Sequence, residues 1–168
     1  MLEVRKMKSE DLKDVMEIIN DAKRYFRENG IDQWQSGYPD AETIRMDIAA
    51  GQAYVLEEDG QIIATSAIID GIDPNYAEIT NGAWLNEGSY IVIHRTAVRT
   101  GHKGIGMANL MYEKAVELAK EKGIRSLRAD THANNQPMRR LMKKLGFKTC
   151  GLVYMKDGTP RIAYQKML

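Results

Sequence analysis

A glycine-containing loop between a strand and a helix is the feature that most constrains the fold of this chain. The apolar residues from Ser89 to Val98 predict a strand, and a helical pattern over residues 104–122 follows at once. The loop between them carries Gly101, Gly104 and Gly106. Because such a junction presents backbone N–H groups at the positive end of a helix dipole, it predicts a site for a phosphate-like anion.

Hydrophobic periodicity and turn signals predict the order of the remaining elements. Helices are predicted over residues 9–29, 40–50, 104–122 and 135–146, and strands over residues 2–7, 53–56, 62–69, 89–98, 124–129, 147–155 and 161–166. Hairpins therefore precede a strand–helix–strand crossover. This order predicts a mixed α/β (α+β) sheet with helices on both faces, not a doubly wound dinucleotide-binding fold.

Composition and charge narrow the class of protein. The 168 residues contain no repeat or linker, which predicts a single domain over residues 1–168, and a net charge of +1 argues against a nucleic-acid partner. The charged N-terminus has no apolar region typical of a signal peptide, and no apolar run is long enough for a membrane span. A lone cysteine, Cys150, provides neither a disulfide framework nor a paired-cysteine metal site. We therefore expect a cytoplasmic protein without a metal, membrane or nucleic-acid partner.

Two well-known phosphate-binding loops do not fit the glycine loop. A P-loop requires Lys directly after the second glycine of its motif, whereas Met107 follows Gly106. The dinucleotide-binding motif requires a third glycine three residues further on, where Asn109 stands. Taken alone, the loop could equally be a tight turn that needs glycine for its backbone.

Two motifs together resemble those of the GNAT acetyltransferase family. The segment Gly101-His-Lys-Gly104-Ile-Gly106 is similar to the family pattern Arg/Gln-x-x-Gly-x-Gly/Ala, with Gly101 in place of the leading Arg or Gln. The segment Asn135–Phe147 is similar to Asn-x-x-Ala-x-x-Leu-Tyr-x-Lys-x-Gly-Phe, except at Met138 and Met142. The resemblance implies the GNAT fold, a mixed and mostly antiparallel sheet of six to seven strands whose central parallel strands splay apart.

The resemblance also implies acetyl-CoA as co-substrate, bound between the strands predicted over residues 89–98 and 124–129. Backbone N–H groups near Ala97 and Val98 would face the pantetheine arm and the thioester, and those of residues 103–107 would hold the pyrophosphate. The basic face of the last predicted helix could meet the CoA 3′-phosphate or could simply be solvated. The predicted cofactor contacts are Thr96, Ala97, Val98, His102, Lys103, Gly104, Ile105, Gly106, Met107, Asn135 and Lys144.

The implied reaction is direct attack of an amine on the thioester, which needs a base for the amine proton. His94 is the first candidate because its strand position resembles that of histidines in some family members and its ordinary pKa suits the task. A packed core histidine is the competing interpretation, and His132, Glu78 and Glu87 are alternative bases. Tyr154, or Tyr164, is the candidate acid, since Met142 stands at the family's usual tyrosine; ordinary aromatic packing is the alternative for both.

The acceptor is the part of the function that the sequence defines least. The aromatic and amide residues predicted to bind it are Trp34, Gln35, Tyr38 and Trp84, in loops that could instead simply be anchored by these side chains. The leading hypothesis is transfer of an acetyl group to a primary amine of a small molecule or peptide. The alternatives are a CoA-binding sensor without efficient catalysis and a transferase of other acyl groups. The family also allows a homodimer.

Overall fold

The computed structural model describes residues 1–168 and confirms the predicted order of helices and strands. Element boundaries differ from the predicted ones by only a few residues, chiefly at helix ends, where short 3-10 turns or glycine turns take over. The strands are β1 (Leu2–Lys6), β2 (Ala53–Glu58), β3 (Gln61–Asp70), β4 (Ile91–Val98), β5 (Ser126–Thr131), β6 (Lys148–Tyr154) and β7 (Pro160–Met167), and the helices are α1 (Leu12–Glu28), α2 (Ala41–Ala49), α3 (Met107–Glu121) and α4 (Gln136–Lys144).

The strands form one seven-stranded mixed sheet in the order β1-β2-β3-β4-β5-β7-β6. β4 and β5 are parallel, with Ile91 opposite Leu127 and Val92 opposite Arg128, as a β4-α3-β5 crossover requires. The pairs β1–β2, β2–β3, β5–β7 and β6–β7 are antiparallel. The predicted fold class, a mixed and mostly antiparallel α/β sheet, is confirmed.

The chain divides into two compact units. The first unit contains residues 1–68 and 94–114, and the second contains residues 69–93 and 115–168. The boundary falls within β4, so that His94 to Val98 belong to the first unit and Ile91 to Ile93 to the second.

The core of the first unit forms on one face of α1. Val15, Ile18 and Ile19 are fully buried, and they belong to one apolar cluster with Val55 of β2 and Ala97 of β4. The three- and four-residue spacing of apolar side chains along α1 places them on this face, as the sequence pattern predicts. α1 ends at Asn29 and Gly30, and Gly30 has a φ of 66°.

The second unit has a core rich in aromatic residues. Tyr76, Tyr90, Val92 and Val153 are buried in one cluster with Cys150, and Trp84 packs against it. α4 begins with a side-chain cap: the side chain of Asn135 accepts a hydrogen bond from the Met138 N–H, and a proline occupies the first turn. The cluster anchors the long segment between β3 and β4 in this unit.

Candidate functional site

The glycine loop of the first unit connects the end of β4 to the start of α3. Gly101, Gly104 and Gly106 have φ values of 94°, 77° and 88°, in the region that favours glycine. A Cβ at Gly101 or Gly104 would meet no atom within 4 Å, so the backbone conformation and not local crowding requires glycine there. Hydrogen bonds close the loop at both ends, from the His102 N–H to Arg99 O (3.0 Å) and from the Asn109 N–H to Gly106 O (3.1 Å).

The two cationic side chains of this loop have different surroundings. The Nζ of Lys103 lies 4.5 Å from the centre of the Tyr25 ring of α1, and partial burial lowers the pKa of Lys103. The Nδ1 of His102 is buried and has no hydrogen-bond partner in the structure. A buried imidazole nitrogen without a partner is unusual in a folded protein, and it lies directly beside the loop glycines.

The second half of β4 contains a left-handed residue, Arg95, whose φ is 54°. The other non-glycine residues with positive φ, Trp34, Asp59 and Asn81, lie in loops, whereas Arg95 lies inside a strand. A left-handed residue costs roughly 1–2 kcal/mol for an L-amino acid, so surrounding contacts must hold it.

The Arg95 side chain makes three charged or polar contacts within the first unit. Its Nε and Nη2 donate to the two carboxylate oxygens of Asp47, at 2.9 and 2.7 Å, and its Nη1 donates to the Tyr38 hydroxyl at 2.6 Å. Burial alone would lower the pKa of Arg95, but Tyr38 and Asp47 beside it raise that pKa above its ordinary value. Sequence reasoning missed both Arg95 and Asp47, because a charged residue on a strand and one on a short helix carry no local signal of pairing.

The two candidate proton-transfer residues lie on different strands in different units. His94 directly precedes Arg95 on β4 and is half-buried. Tyr154 is the last residue of β6, opposite Pro160, and its side chain is 48% exposed. Tyr164 of β7, the alternative acid, is buried. The roles of these residues stay predictions.

Asn135 and Lys144 occupy the two ends of α4 in the second unit. Asn135 is buried, and its Nδ2 donates to the Thr131 Oγ1 at 3.1 Å while its Oδ1 caps the helix. The structure therefore supports the capping role of Asn135. Lys144 lies in the last turn with an exposed side chain, where its charge suits the negative end of the helix dipole.

Three of the predicted acceptor residues lie close in sequence in the first unit. Trp34 packs edge-on against Phe26, with ring centres 5.5 Å apart. The Gln35 amide donates to the carbonyl oxygens of Lys23 and Gln33, at 3.0 and 2.9 Å. The exposed Tyr38 accepts from Arg95. The segment is thus attached to both α1 and β4.

Trp84, the fourth predicted acceptor residue, belongs to the second unit. Its indole N–H donates to the Tyr76 carbonyl at 3.0 Å, and the guanidinium of Arg128 lies 4.1 Å from its ring centre. The ring centre of Tyr90 lies 4.0 Å from the same guanidinium. These contacts give Trp84 an anchoring role in the segment before β4, and its contact with an acceptor stays a prediction.

No cluster of three or more His, Cys, Asp or Glu side chains has an arrangement suited to a metal ion. None of the helices combines the length and the apolar composition that crossing a membrane would need.

Comparison with known proteins identifies the family. The model of the acetyltransferase (GNAT) family matches residues 12–147, and the chain belongs to this family. No curated protein matches the sequence. The predicted family is therefore confirmed, through a match that includes both the glycine loop and α4.

Solved structures agree with this assignment. An acetyltransferase of the GNAT family from Streptococcus agalactiae is 33% identical, covers 99% of this chain and 95% of its own, and superimposes with a TM-score of 0.89. The PaiA N-acetyltransferase of Thermoplasma acidophilum, solved in complex with coenzyme A, is 17% identical, covers 100% and 99%, and has a TM-score of 0.76. YncA of Salmonella typhimurium, solved with its cofactor acetyl-CoA, is 19% identical, covers 99% and 94%, and has a TM-score of 0.71. The predicted cofactor, acetyl-CoA, agrees with the acetyltransferase family. The two complexes show coenzyme A and acetyl-CoA bound to proteins of the same fold.

Proposed function

We propose that this chain is a single-domain, acetyl-CoA-dependent N-acetyltransferase over residues 1–168, acting on a primary amine of a small molecule or peptide. The observation that carries the proposal is the glycine loop at the start of α3 in a chain that belongs to an acetyltransferase family. The relatives crystallised with coenzyme A and acetyl-CoA support the choice of donor. A cytoplasmic location and a homodimer stay sequence-based predictions.

The loop residues fit the charge of the proposed donor. The N–H groups of residues 103–107 lie at the N-terminal end of α3, where the helix dipole favours an anion such as a pyrophosphate. We assign to this role the backbone of Lys103, Gly104, Ile105, Gly106 and Met107. His102 would add a side-chain nitrogen, Lys103 a charge, and Asn135 and Lys144 further polar contacts from α4.

Acetyl-CoA supplies an activated acetyl group, and β4 provides the groups that act on it. We assign the backbone N–H groups of Ala97 and Val98 to the carbonyl oxygen, which gains negative charge as the amine attacks, while Thr96 lies beside the reacting group. Preorganised N–H donors are typically the largest single contribution to such acyl transfers. The new C–N bond forms as the C–S bond breaks, and the sulfur leaves as the thiolate of CoA.

Two protons move in this reaction. His94 would take the proton of the attacking amine, directly or through water, because an imidazole nitrogen can accept a proton and His94 lies next to the left-handed residue Arg95 of β4. Tyr154 would protonate the departing thiolate, a role that solvent can share because a thiolate is a tolerable leaving group near pH 8. The acceptor would lie against Trp34, Gln35, Tyr38 and Trp84.

A CoA-binding sensor without efficient catalysis is the alternative function. The observation that favours it is Met142, which stands where the family usually has tyrosine and is only 1% exposed. A buried thioether cannot donate a proton. If solvent and Tyr154 do not replace this acid, the chain binds CoA without turning it over.

The test is release of free thiol from acetyl-CoA against a panel of primary amines. The assay suits this chain because Cys150 is its one cysteine and burial raises the pKa of that thiol, which keeps the protein's own reaction with thiol reagents slow. Turnover with at least one amine is expected. Binding of CoA without turnover on any amine would instead favour the sensor. An unchanged melting temperature in millimolar acetyl-CoA would contradict both functions, because ligand at 100 times its Kd stabilises by about 2.7 kcal/mol.

The role of His94 has its own test. We expect His94→Ala to lower kcat at least tenfold at neutral pH, since general-base catalysis typically contributes 10²–10⁴-fold. His132→Ala tests the alternative base. We expect little change in kcat from it, because the Nδ1 of His132 already accepts from the Asn134 N–H at 3.0 Å. If kcat/KM of the wild type does not change between pH 6 and 9, His94 is not the base.

A further inference from the structure

Arg95 occupies a backbone conformation that its residue type does not favour. Its φ of 54° lies within β4, between His94 and Thr96. Glycine, asparagine and aspartate adopt this region most readily, because they lack a Cβ or can hydrogen-bond locally. An arginine there persists only when its surroundings hold it, and such conformations cluster at functional sites.

The Arg95 side chain is held by a buried carboxylate on α2. The fork of Nε and Nη2 meets the two oxygens of Asp47, and Asp47 is only 4% exposed. The Gln52 amide donates to the same carboxylate at 3.2 Å. A two-point contact fixes both the distance and the plane of the guanidinium, which a single-point contact cannot do.

Two further contacts extend this arrangement on either side. The Tyr38 hydroxyl accepts from Nη1 of Arg95 at 2.6 Å, in the segment predicted to bind the acceptor. Beyond the left-handed residue, the hydroxyls of Thr96 and Ser66 are 2.8 Å apart, which ties the following part of β4 to β3. The backbone at Arg95 is therefore restrained through its own side chain and through the next residue.

We propose that Arg95, Asp47 and Tyr38 form a positioning cluster for acyl transfer. The Arg95–Asp47 pair holds the left-handed turn of β4, and that turn sets the direction of the Ala97 and Val98 N–H groups. Tyr38 connects the same arginine to the acceptor segment, so that a correctly seated acceptor favours the active backbone conformation. Arg95 acts through the backbone and does not touch the reacting atoms. This inference rests on the proposed function of β4.

The test compares variants that weaken the contacts holding the backbone at Arg95 with one variant that leaves those contacts intact. Arg95→Gly permits the left-handed conformation but no longer holds it. Asp47→Asn removes the negative charge that faces Nε and Nη2 of Arg95. Arg95→Lys keeps the charge with a single-point contact, and Tyr38→Phe removes one exposed hydrogen bond. Arg45→Ala is the matched control, because Arg45 is an exposed arginine of α2 paired only loosely with Glu42 at 3.5 Å.

A positioning role predicts a specific division between kcat and binding. We expect Arg95→Gly and Asp47→Asn to lower kcat 10- to 100-fold with the Kd of CoA within twofold of the wild type, measured by calorimetry. Arg95→Lys should recover part of the loss, Tyr38→Phe should lower kcat two- to fivefold, and Arg45→Ala should match the wild type. The inference is overturned if Arg95→Gly stays within twofold of the Arg45→Ala control, or if the Kd of CoA rises as much as kcat falls.

A spectroscopic measurement separates this inference from the proposed function. The infrared carbonyl band of bound, carbonyl-labelled acetyl-CoA should lie below that of free acetyl-CoA in the wild type and move back towards it in Arg95→Gly. If the wild type turns over no amine but this difference is seen, the proposed function fails and the positioning role holds. If turnover is normal and the band is the same in both proteins, the positioning role fails and the proposed function holds.

Discussion

Two arginines with largely buried side chains, one in each unit, are accommodated in opposite ways. Arg95 lies in a left-handed turn of β4 and meets the carboxylate of Asp47 through a two-point contact. Arg128 lies on the regular strand β5 between the rings of Trp84 and Tyr90, each about 4 Å from its guanidinium carbon. Arg95 is held by two hydrogen bonds to one carboxylate, and Arg128 is held by contact with two aromatic rings.

The pKa directions of the two guanidinium groups follow from this difference. Tyr38 and Asp47 outweigh the effect of burial and raise the pKa of Arg95, whereas burial lowers the pKa of Arg128 despite its aromatic neighbours. The Nε of Arg128 is buried without a hydrogen-bond partner, while Nη2 donates to the Asn86 carbonyl at 2.8 Å. Charge and a left-handed backbone thus occur together at Arg95, where the positioning role is proposed, whereas ring packing holds Arg128 beside the long segment that contains Trp84 and Tyr90.

The largest predicted effect concerns the charged pair. Asp47→Ala leaves the Arg95 charge buried without its carboxylate, and breaking a buried pair in this way typically costs about 3–5 kcal/mol of unfolding free energy. The double variant Asp47→Leu/Arg95→Met removes both charges and should recover stability to within about 1 kcal/mol of the wild type. Urea denaturation measures both. A double variant as unstable as the single one would show that shape, and not charge, dominates this pair.

The next effect concerns the stacked arginine. Arg128→Ala removes the aliphatic stem and guanidinium between two rings, and we expect a loss of about 2–3 kcal/mol from the resulting cavity. Arg128→Met fills the same space with a flexible apolar side chain and should cost less than about 1.5 kcal/mol. Urea midpoints together with near-ultraviolet circular dichroism of the aromatic cluster test this. Equal losses in the two variants would mean that charge, and not ring contact, stabilises this region.

The sequence predicts those parts of the fold that depend on local patterns. The patterns behind α1, α4 and the glycine loop all act within a few residues, and each of these elements lies where it is predicted. The surroundings of Arg95 and of Arg128 could not be predicted from local patterns. Asp47 and Arg95 are 48 residues apart, and their pairing depends on where α2 lies against β4.

The candidate site also contains features with a local sequence signal and features without one. The glycine loop was predictable because few residue types adopt its φ values, whereas the left-handed turn at Arg95 was not, since arginine gives no such signal. Trp84 illustrates the limit for aromatic residues, because a ring in a loop is equally compatible with an acceptor contact and with an anchor. Its stacking on Arg128 depends on packing between a loop and β5 that no local pattern reveals.

A smaller effect concerns the ion pair between Arg5 and Asp11, which is partly buried. The hydrogen bond from Arg5 holds the pKa of Asp11 below its ordinary value of 3.8 in spite of burial. The stability that Asp11 contributes is therefore present above about pH 4 and is lost as the pH falls through its lowered pKa. Arg5→Met should cost about 1 kcal/mol at pH 7 and make the loss of stability below pH 4 shallower. Arg24→Met, which removes a more exposed pair with Asp21, is the control and should leave the loss of stability below pH 4 unchanged.

The smallest effect concerns Lys103, which lies over the ring of Tyr25 and is also proposed to bind the pyrophosphate of CoA. Lys103 lies over a single ring, that of Tyr25, with the Asp21 carboxylate as a further charged neighbour. Lys103→Met and Tyr25→Leu should therefore each change stability by only about 0.5–1 kcal/mol. Their effects on the Kd of CoA should nevertheless differ. Lys103→Met removes a charge from the proposed pyrophosphate site and should raise the Kd of CoA three- to tenfold, whereas Tyr25→Leu releases that charge and should leave the Kd unchanged or lower it. Calorimetry at two salt concentrations, with the exposed Lys120→Met as control, measures this. A rise in Kd for Tyr25→Leu as large as for Lys103→Met would mean that the ring orders the loop, and Lys103 would then resemble Arg128 in being an anchor.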